Sequence, residues 1–314
     1  MYLKSSMIYL YVETPLHAGA GSGLGAIDLP IQRERYTGIP IIQAPGLKGA
    51  LKSQHKGVLP NPTAELEAVF GPESPDYAGA FGVGDARLLL YPVRSLKGLF
   101  AWVTCPDVLH RWQRETALLG GAPIPLPDEP PVAGCFAGTD VQDGGQVVLE
   151  EYTFTASNAY SLTSLVAVLN AVFPKVMVSV KSKDPNPSSS QLDLYGHWKM
   201  KFTTSLVILR SDDFSELVQQ TTEVLTRVRL DRNAKSASNQ MLWTEEHLPP
   251  DSILYAPARA TPLRSPNKPA RFSGKKPDEE AQEALDWVKE GLPDVIQIGG
   301  DETVGRGLVR LTWM

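Results

Sequence analysis

Residues 15–34, PLHAGAGSGLGAIDLPIQRE, combine a backbone that can approach a phosphate with side chains that can act on one. Glycines occupy positions 19, 21, 23 and 25, between His17 and Asp28. Glycine allows sharp turns, which bring backbone N–H groups close to phosphate oxygens. A histidine can carry a proton at neutral pH, and a carboxylate can hold a hard cation. The segment therefore suits chemistry at a phosphate, although an exposed glycine turn without a ligand has the same composition.

A second glycine-rich loop lies at residues 297–309, between two predicted C-terminal strands. Its glycines and arginine are Gly299, Gly300, Gly305, Arg306 and Gly307. Basic residues also follow the first loop, at Arg33, Arg35 and Lys48. Two glycine-rich loops with scattered basic residues suit an extended phosphate backbone better than one compact cofactor.

The common nucleotide-binding motifs fail in this sequence. Gly21, Gly23 and Ala26 match the G-x-G-x-x-A fingerprint, but Pro30 follows where a helix should run. No acidic residue lies at 41–48, and no G-x-x-x-x-G-K-[ST] sequence occurs. A dinucleotide or P-loop enzyme is therefore disfavoured.

Composition places limits on the compartment and the partners. The chain has 314 residues, of which 42% are hydrophobic, and a formal net charge of −5. Cys105 and Cys135 fit neither a disulfide framework nor a zinc site. No run approaches the roughly 18 apolar residues of a membrane helix, and the N-terminal residues alternate like a strand rather than a signal peptide. We expect a cytoplasmic protein with no membrane partner.

The predicted elements mix strands and helices without a regular alternation, which favours an α+β fold. Predicted strands include 7–13, 86–93, 98–105 and 146–154. A helix beginning near Pro45 would place lysines 48, 52 and 56 on one face. Asp107 and Asp278 are predicted to cap two later helices.

Four ordered blocks of the sequence resemble the RAMP proteins, the repeat-associated RNA-binding proteins of CRISPR systems. The blocks are residues 14–52, 78–112, 228–258 and 298–311, the last reading IGGDETVGRGLVRL. More narrowly, they resemble the backbone subunit of the type III-B (Cmr) effector complex. The resemblance implies one RAMP domain over 1–314, with a ferredoxin-like palm of the RNA-recognition type. It also implies a thumb hairpin at about 226–258, further insertions at about 122–146 and 175–201, and the C-terminal loop at 297–309.

The same resemblance implies a function. Such subunits polymerise as a helical filament along guide RNA, bind complementary target RNA, and assemble with other subunits. They cut the target at regular intervals as endoribonucleases that need a divalent metal, Mg²⁺ or Mn²⁺. The family's aspartate falls on Asp28, its histidine on His17, and its thumb glutamate on Glu246, with Glu245 adjacent.

The resemblance and the residue types together give a predicted site. Asp28 is the expected metal ligand and catalytic residue, with His17 and Glu246 beside it. The expected RNA-binding residues are Arg33, Arg35, Lys48, Lys52, Met241, Trp243, Gly299, Gly300 and Arg306. Met241 and Trp243 suit a wedge between stacked bases, or equally a packed hairpin.

Several alternatives stay open at this point. Asp28 is a metal ligand or phosphate-orienting group, or a general base; a carboxyl near its ordinary pKa of about 3.9 is a weak base. His17 is a proton carrier or a guide contact. A non-catalytic structural RAMP subunit and a guide-processing endoribonuclease are the rival functions.

Overall fold

The computed structural model describes residues 2–23, 25–56, 63–74, 76–180, 190–230 and 237–314, with only the backbone described at 180, 190, 229–230 and 237–241. The chain divides into two compact units. The first comprises Met1–Leu89, Glu115–Gly121 and Val218–Met314, and the second comprises Leu90–Arg114 and Ala122–Leu217. All the predicted site residues belong to the first unit, and both expected insertions lie in the second.

The fold is mixed, with mostly antiparallel strands, which confirms the α+β prediction. The strands are β1 (Lys4–Val12), β2 (Ile41–Ile42), β3 (Phe81–Val83), β4 (Ala86–Arg94), β5 (Phe100–Thr104), β6 (Gly134–Ala137), β7 (Gln146–Leu149), β8 (Tyr152–Ala156), β9 (Met177–Val180), β10 (Ser190–Asp193), β11 (Leu206–Ile208), β12 (Glu223–Leu230), β13 (Ala237–His247), β14 (Ile253–Ala260), β15 (Val295–Gln297) and β16 (Leu308–Trp313). The helices are α1 (Ala44–Gln54), α2 (Ala64–Phe70), α3 (Pro106–Leu118), α4 (Thr163–Leu169), α5 (Gly196–Ser205), α6 (Ser211–Gln220) and α7 (Pro277–Gly291).

β1 is the central strand of the first unit. It pairs antiparallel with β16 on one side and β14 on the other, so that Tyr9 lies opposite both Thr312 and Tyr255. The sheet order is β15-β16-β1-β14-β4, with β2 added beside β4 and β3 beside β14. All of 7–12 is buried, and α7 packs against β1 and β14. The glycine loops at the two ends of the sequence therefore follow and precede neighbouring strands of one sheet.

α1 begins at Ala44, directly before the predicted Pro45, and packs through its apolar side. Leu47 and Leu51 are buried, as the four-residue spacing requires. The helix ends at Gln54, and His55 stacks on Trp287 of α7 with ring centroids 3.9 Å apart. Lys56 therefore lies beyond the helix, which corrects the prediction of three lysines on one helical face.

The hairpin formed by β12 and β13 carries two sets of side chains on opposite faces. Its register runs from Glu223 opposite His247 to Val228 opposite Leu242. Because side chains alternate along a strand, each face has its own composition. The Thr244 face consists of Val224, Thr226, Val228, Leu242, Thr244 and Glu246. The Arg227 face consists of Glu223, Leu225, Arg227, Trp243, Glu245 and His247. The hairpin overlaps the thumb expected at about 226–258, but the last part of that range, from Ile253, belongs to β14, which pairs with β1; the tip at 231–236 lies outside the described residues.

The second unit has a mixed sheet with the order β4-β5-β11-β6-β8-β7, to which β4 contributes its second half. β11 runs parallel to β5 and β6 runs parallel to β8, while β7 and β8 form an antiparallel hairpin. Trp102 is fully buried and contacts Phe173 and Phe202 edge-on, at centroid distances of 5.4 and 5.7 Å. These aromatic rings supply much of the core of this unit.

Three local predictions are wrong in detail. Residues 146–154 form two strands, because Glu150 takes a left-handed conformation (φ 50°) and turns the chain. Asp107 and Asp278 lie in the first turns of α3 and α7 rather than at the caps. Acidic residues in a first turn are favoured by the helix dipole, so sequence alone confuses them with caps. In α7, the backbone N–H of Lys276 donates to Glu279 at 3.0 Å.

Cys105 and Cys135 are free and buried, and burial raises the pKa of each thiol to about 12. Within the described ranges, no helix has both the length and the apolar character needed to cross a membrane.

Candidate functional site

Asp28 is fixed to the hairpin through Thr244. One carboxylate oxygen, Oδ2, accepts hydrogen bonds from the Thr244 N–H at 2.7 Å and from its hydroxyl at 2.9 Å. The Asp28 N–H donates back to the Thr244 hydroxyl at 2.9 Å. The side chain is exposed, and the Thr244 N–H, followed by its hydroxyl, lowers the pKa of Asp28. Asp28 is thus an ionised, immobilised carboxylate facing solvent.

The loop that carries Asp28 lies alongside β13. Its return limb pairs with the hairpin, since Leu29 donates to the Thr244 carbonyl at 3.0 Å and accepts from the Glu246 N–H at 3.0 Å. At the turn, the Gly23 N–H donates to the Asp28 carbonyl at 2.8 Å. A Cβ on Gly23 would lie 2.8 Å from the Ile27 carbonyl oxygen, so glycine is required there. These glycines shape the turn that presents Asp28.

His17 is held in one tautomer by the backbone of β13. Its Nδ1 lies 2.7 Å from the Glu246 carbonyl oxygen. Because a carbonyl only accepts, Nδ1 carries the proton, and Nε2 of the neutral ring keeps its lone pair. Asp28 and His17 are therefore anchored to residues two apart on one strand, a separation of about 7 Å along β13.

Glycines from both loops surround His17. A Cβ on Gly19 would lie 2.8 Å from His17 Nε2, and one on Gly299 would lie 2.2 Å from the His17 carbonyl oxygen. The Gly300 N–H donates to that same carbonyl at 3.0 Å. The two glycine-rich loops thus meet at one histidine, a relationship that their separation in sequence does not reveal.

Glu246 is buried beneath the loop. Its carboxylate accepts hydrogen bonds from the Ile31 N–H at 2.9 Å and the Thr222 hydroxyl at 2.7 Å, and it forms an ion pair with Arg33. Arg33 also donates to the carbonyls of Gly38 and Val218, at 2.8 and 3.4 Å. The structure therefore places Glu246 inside the protein, bonded to the partly buried Arg33.

The Arg227 face of the hairpin carries a cluster that the sequence reasoning missed. Ligand atoms of Glu245, His247 and Asp301 lie within 4.8 Å of one another. The guanidinium of Arg227 donates to Glu245 at 2.8 Å and to Asp301 at 3.0 Å. Trp243 donates its indole N–H to Glu245 at 2.6 Å. Arg227 already supplies the positive charge between the carboxylates, so the cluster does not fit a metal ion well.

Burial is one of the factors that shift the pKa values of His247 and Asp301 in this cluster. His247 is completely buried, and this burial lowers its pKa, although its Nε2 lies 3.4 Å from Asp301 Oδ2. Burial works to raise the pKa of Asp301, but hydrogen bonding within the cluster and the charge of Arg227 outweigh it and lower the pKa. Asp301 is the first of two acidic residues in the motif IGGDETVGRG, which was the one available sequence signal.

The predicted basic residues differ in their availability. Lys48 is half-buried, and both this burial and the charge of Lys52 lower the pKa of its ammonium. In the described part of the chain, that ammonium has no hydrogen bond or ion pair. Lys52 donates to the Gly71 carbonyl at 2.9 Å. Arg35 is exposed. The guanidinium of Arg306 lies 4.0 Å from the carboxylate of Glu223, and both side chains are partly exposed.

Two predicted wedge residues lie on β13. Trp243 is half-buried and its indole faces the Arg227 cluster. The side chain of Met241 lies outside the described residues. Their role against stacked bases stays a prediction.

Asp28 can supply one ligand to a metal ion. Its Oδ2 is occupied by Thr244, whereas Oδ1 has no hydrogen-bond partner among the described residues. No metal-holding group found in those residues includes Asp28. Among the described residues, Asp28 would therefore offer a divalent ion a single carboxylate ligand, and the remaining ligands would have to be water and phosphate oxygens.

Residues 9–310 match the sequence pattern of the RAMP superfamily. The chain belongs to the RAMP superfamily. This RAMP chain is 32% identical, over 99% of its own length and 96% of the relative's, to the CRISPR system Cmr endoribonuclease Cmr4 of Pyrococcus furiosus. It is 24% identical to the CMR subunit Cmr4 of Saccharolobus solfataricus, covering 98% and 95% of the two chains. The crystal structure of oligomeric Cmr4 from Pyrococcus furiosus matches with a TM-score of 0.71 and 27% identity, covering 99% of this RAMP chain and 98% of that chain.

Proposed function

We propose that this RAMP chain is the backbone subunit of a type III-B CRISPR ribonucleoprotein, which binds guide RNA and cleaves complementary target RNA at Asp28. Copies of the chain assemble along the guide with the other subunits of the complex. The full-length similarity to a relative named a Cmr endoribonuclease supports this function. In this proposal, the first unit provides the ferredoxin-like palm and the β12–β13 hairpin is the thumb.

The observation that carries the proposal is the exposed carboxylate of Asp28, held by Thr244 two residues along β13 from Glu246, whose carbonyl fixes the tautomer of His17. RNA can be cut by its own 2′-hydroxyl: the O2′–P bond forms and the P–O5′ bond breaks. The protein then has to align the phosphate, remove the 2′ proton and stabilise charge on the phosphoryl oxygens.

Asp28 is suited to align the phosphate rather than to take the proton. The Thr244 N–H lowers its pKa, and a carboxylate of low pKa is a poor base at neutral pH. Its free oxygen would hold the divalent ion, which supplies positive charge to the phosphate when bound. The two bonds to Thr244 keep that oxygen in place between one turnover and the next.

His17 is suited to take or return a proton. Its Nδ1–H is committed to the Glu246 carbonyl, so Nε2 is the nitrogen that can accept. The glycine at position 19 keeps a side chain away from Nε2, because a Cβ there would lie 2.8 Å from it. Glu246 then acts as a positioning residue, because its carboxylate is buried and bonded to the loop.

The RNA is held by its backbone, according to this proposal. Lys48 and Arg35 are the cations best placed to contact phosphates, because Lys52 and Arg33 are bonded within the chain and Arg306 is paired with Glu223. Gly299 and Gly300 contribute by shaping the loop around His17. Backbone contacts make binding independent of guide sequence and sensitive to salt.

The test compares the complex assembled with wild-type chain against one assembled with Asp28→Asn. Asparagine still accepts from the Thr244 N–H but removes the charge, so the loop should keep its fold. We expect regularly spaced products from the wild type with Mg²⁺, and none from the variant or with EDTA. Asp294→Asn, which changes another exposed aspartate of the first unit, should cut normally.

Two outcomes would separate the rival functions. An unchanged product ladder with Asp28→Asn would make the chain a non-catalytic structural subunit. Cleavage of hairpin repeat RNA by the isolated chain in EDTA would favour a guide-processing endoribonuclease. A target with 2′-deoxyribose at each cut position should resist cleavage, because its nucleophile is missing.

A further inference from the structure

The C-terminal glycine-rich loop is fastened to the hairpin by two ion pairs of opposite polarity. In one, the hairpin supplies the cation, with Arg227 donating to Asp301 at 3.0 Å. In the other, the hairpin supplies the anion, with Glu223 lying 4.0 Å from Arg306. Both hairpin residues lie on the Arg227 face, so the loop lies along that face.

Asp301 is the main attachment point of the loop. Its backbone is left-handed, with φ 63° and ψ 26°, a conformation that aspartate tolerates better than most residues. Its carbonyl accepts the N–H groups of Val304 and Arg306, at 3.1 and 3.2 Å. Its carboxylate reaches Arg227 and His247. One residue therefore both folds the loop and fixes it to the hairpin.

The attached residues of β13, Glu245 and His247, alternate with Thr244 and Glu246, which hold Asp28 and His17. Glu245, to which Arg227 donates a hydrogen bond, forms a backbone β-bridge with Leu29, the residue after Asp28. His247 follows Glu246, whose carbonyl fixes His17. Gly300, the residue directly before Asp301, donates to the His17 carbonyl. A shift of the loop on the hairpin would therefore move Asp28 and His17 relative to each other.

We propose that Arg227 and Asp301 are positioning residues for RNA cleavage, an inference that rests on the function proposed above. Neither contacts the reacting atoms; together they hold β13 so that Asp28 and His17 address one phosphate. Arginine is needed because its planar fork reaches both Glu245 and Asp301, whereas a lysine ammonium reaches one carboxylate at a time.

The experiment uses the assembled complex with Arg227→Met, Arg227→Lys, Asp301→Asn and the double variant Arg227→Met/Asp301→Asn. We expect the single-turnover cleavage rate to fall about 10- to 100-fold in the single variants, since small misplacements are costly. Target-RNA affinity should change less than about threefold, because the phosphate contacts stay. Arg227→Lys should recover part of the rate. The double variant should be no slower than the worse single variant, because the two side chains act as one unit.

The matched control is Arg271→Met, because Arg271 also joins two carboxylates, Glu283 and Glu290, on the surface of the same unit. It should cut at the wild-type rate. Loss of guide-RNA assembly or of target binding in parallel with the rate would overturn the proposal, because it would mean general unfolding. Wild-type rates in the Arg227 and Asp301 variants would also overturn it.

Asp28→Asn is measured alongside these variants. If Asp28→Asn is inactive while the Arg227 and Asp301 variants cut normally, the proposed function stands and the positioning role fails. If Asp28→Asn cuts normally, the proposed function itself fails, and the positioning role fails with it.

Discussion

Arg33 and Glu246 form an ion pair beneath the loop that carries Asp28, with 21% of the Arg33 side chain and 3% of the Glu246 side chain exposed. The pair is enclosed by further bonds, from Ile31 and Thr222 to Glu246 and from Arg33 to the Gly38 carbonyl. A buried pair of this kind contributes less as a pair than it costs to break, because the remaining charge is stranded. Its role is to hold the loop on the hairpin.

Glu246→Gln should therefore destabilise the protein as well as slow cleavage. In the wild type, Ile31, Thr222 and Arg33 share the two carboxylate oxygens of Glu246. The glutamine amide has only one acceptor oxygen, so a buried donor is left without a partner, which costs about 1–3 kcal/mol. Urea unfolding measures the loss. Glu13→Gln, at the more exposed Glu13–Arg310 pair, should cost less than about 1 kcal/mol. Equal losses in the two variants would contradict the positioning role of Glu246.

Gly299 and Gly305 offer a matched test of the C-terminal loop. Both have positive φ, 82° and 77°, but a Cβ on Gly299 would lie 2.2 Å from the His17 carbonyl oxygen, whereas one on Gly305 meets nothing within 4 Å. Gly305→Ala should cost only the backbone strain, about 1–2 kcal/mol. Gly299→Ala adds a clash with backbone at His17, so it should cost more and lower the cleavage rate. Similar melting temperatures and rates for the two variants would show that the loop does not support His17.

His55 should make stability depend on pH. Burial lowers the pKa of His55 below its ordinary value, and Lys56 adds to this, against a hydrogen bond to Trp287 that works to raise it. As the pH falls, His55 takes up a proton more readily in the unfolded chain than in the folded chain. The free energy of unfolding is therefore highest above about pH 6.5 and decreases as the pH drops below that value. The buried His247 shifts in the same direction.

His55→Gln should reduce that loss. Urea unfolding at pH 7.5 and pH 5.5 gives the change in unfolding free energy for each protein. The wild type should lose more stability than the variant over this interval, since the variant keeps only the contribution of His247. An equal or larger loss in the variant would show that His55 is not kept neutral by the fold.

The elements that sequence predicted well are those fixed by local pattern. The strand at β1, the helix at Pro45 and the two arms of the hairpin follow from apolar spacing and proline. The strand predicted at 146–154 was wrong because its alternation continues through Glu150, and only the φ of that residue reveals the turn. Asp28 was predicted because the RAMP resemblance implies an aspartate in the loop after the first strand, and Asp28 is the one carboxylate of that loop before Pro30.

The remainder of the site depends on contacts between distant segments. Arg227, Glu245 and Asp301 come from two strands and a loop, and no spacing in the sequence relates them. Glu246 and Glu245 are adjacent in sequence but face opposite sides of the hairpin, so a one-residue difference decides which lies under the loop. The resemblance selected Glu246, but its burial beneath the loop is visible only in the structure.

Lys48 is the cation whose removal should report guide-RNA contact most directly. Its ammonium has no partner within the described residues, whereas that of Lys56 donates to the Glu290 carbonyl at 3.0 Å. Lys48→Gln should weaken guide binding by the same factor for any guide sequence and reduce the slope of log affinity against log salt by about 0.7, as expected for one phosphate contact on a single strand. Filter binding with two unrelated guides over a salt series measures both quantities, with Lys56→Gln as the control. A loss that depends on guide sequence, or a slope equal to that of the wild type, would place Lys48 away from the RNA backbone.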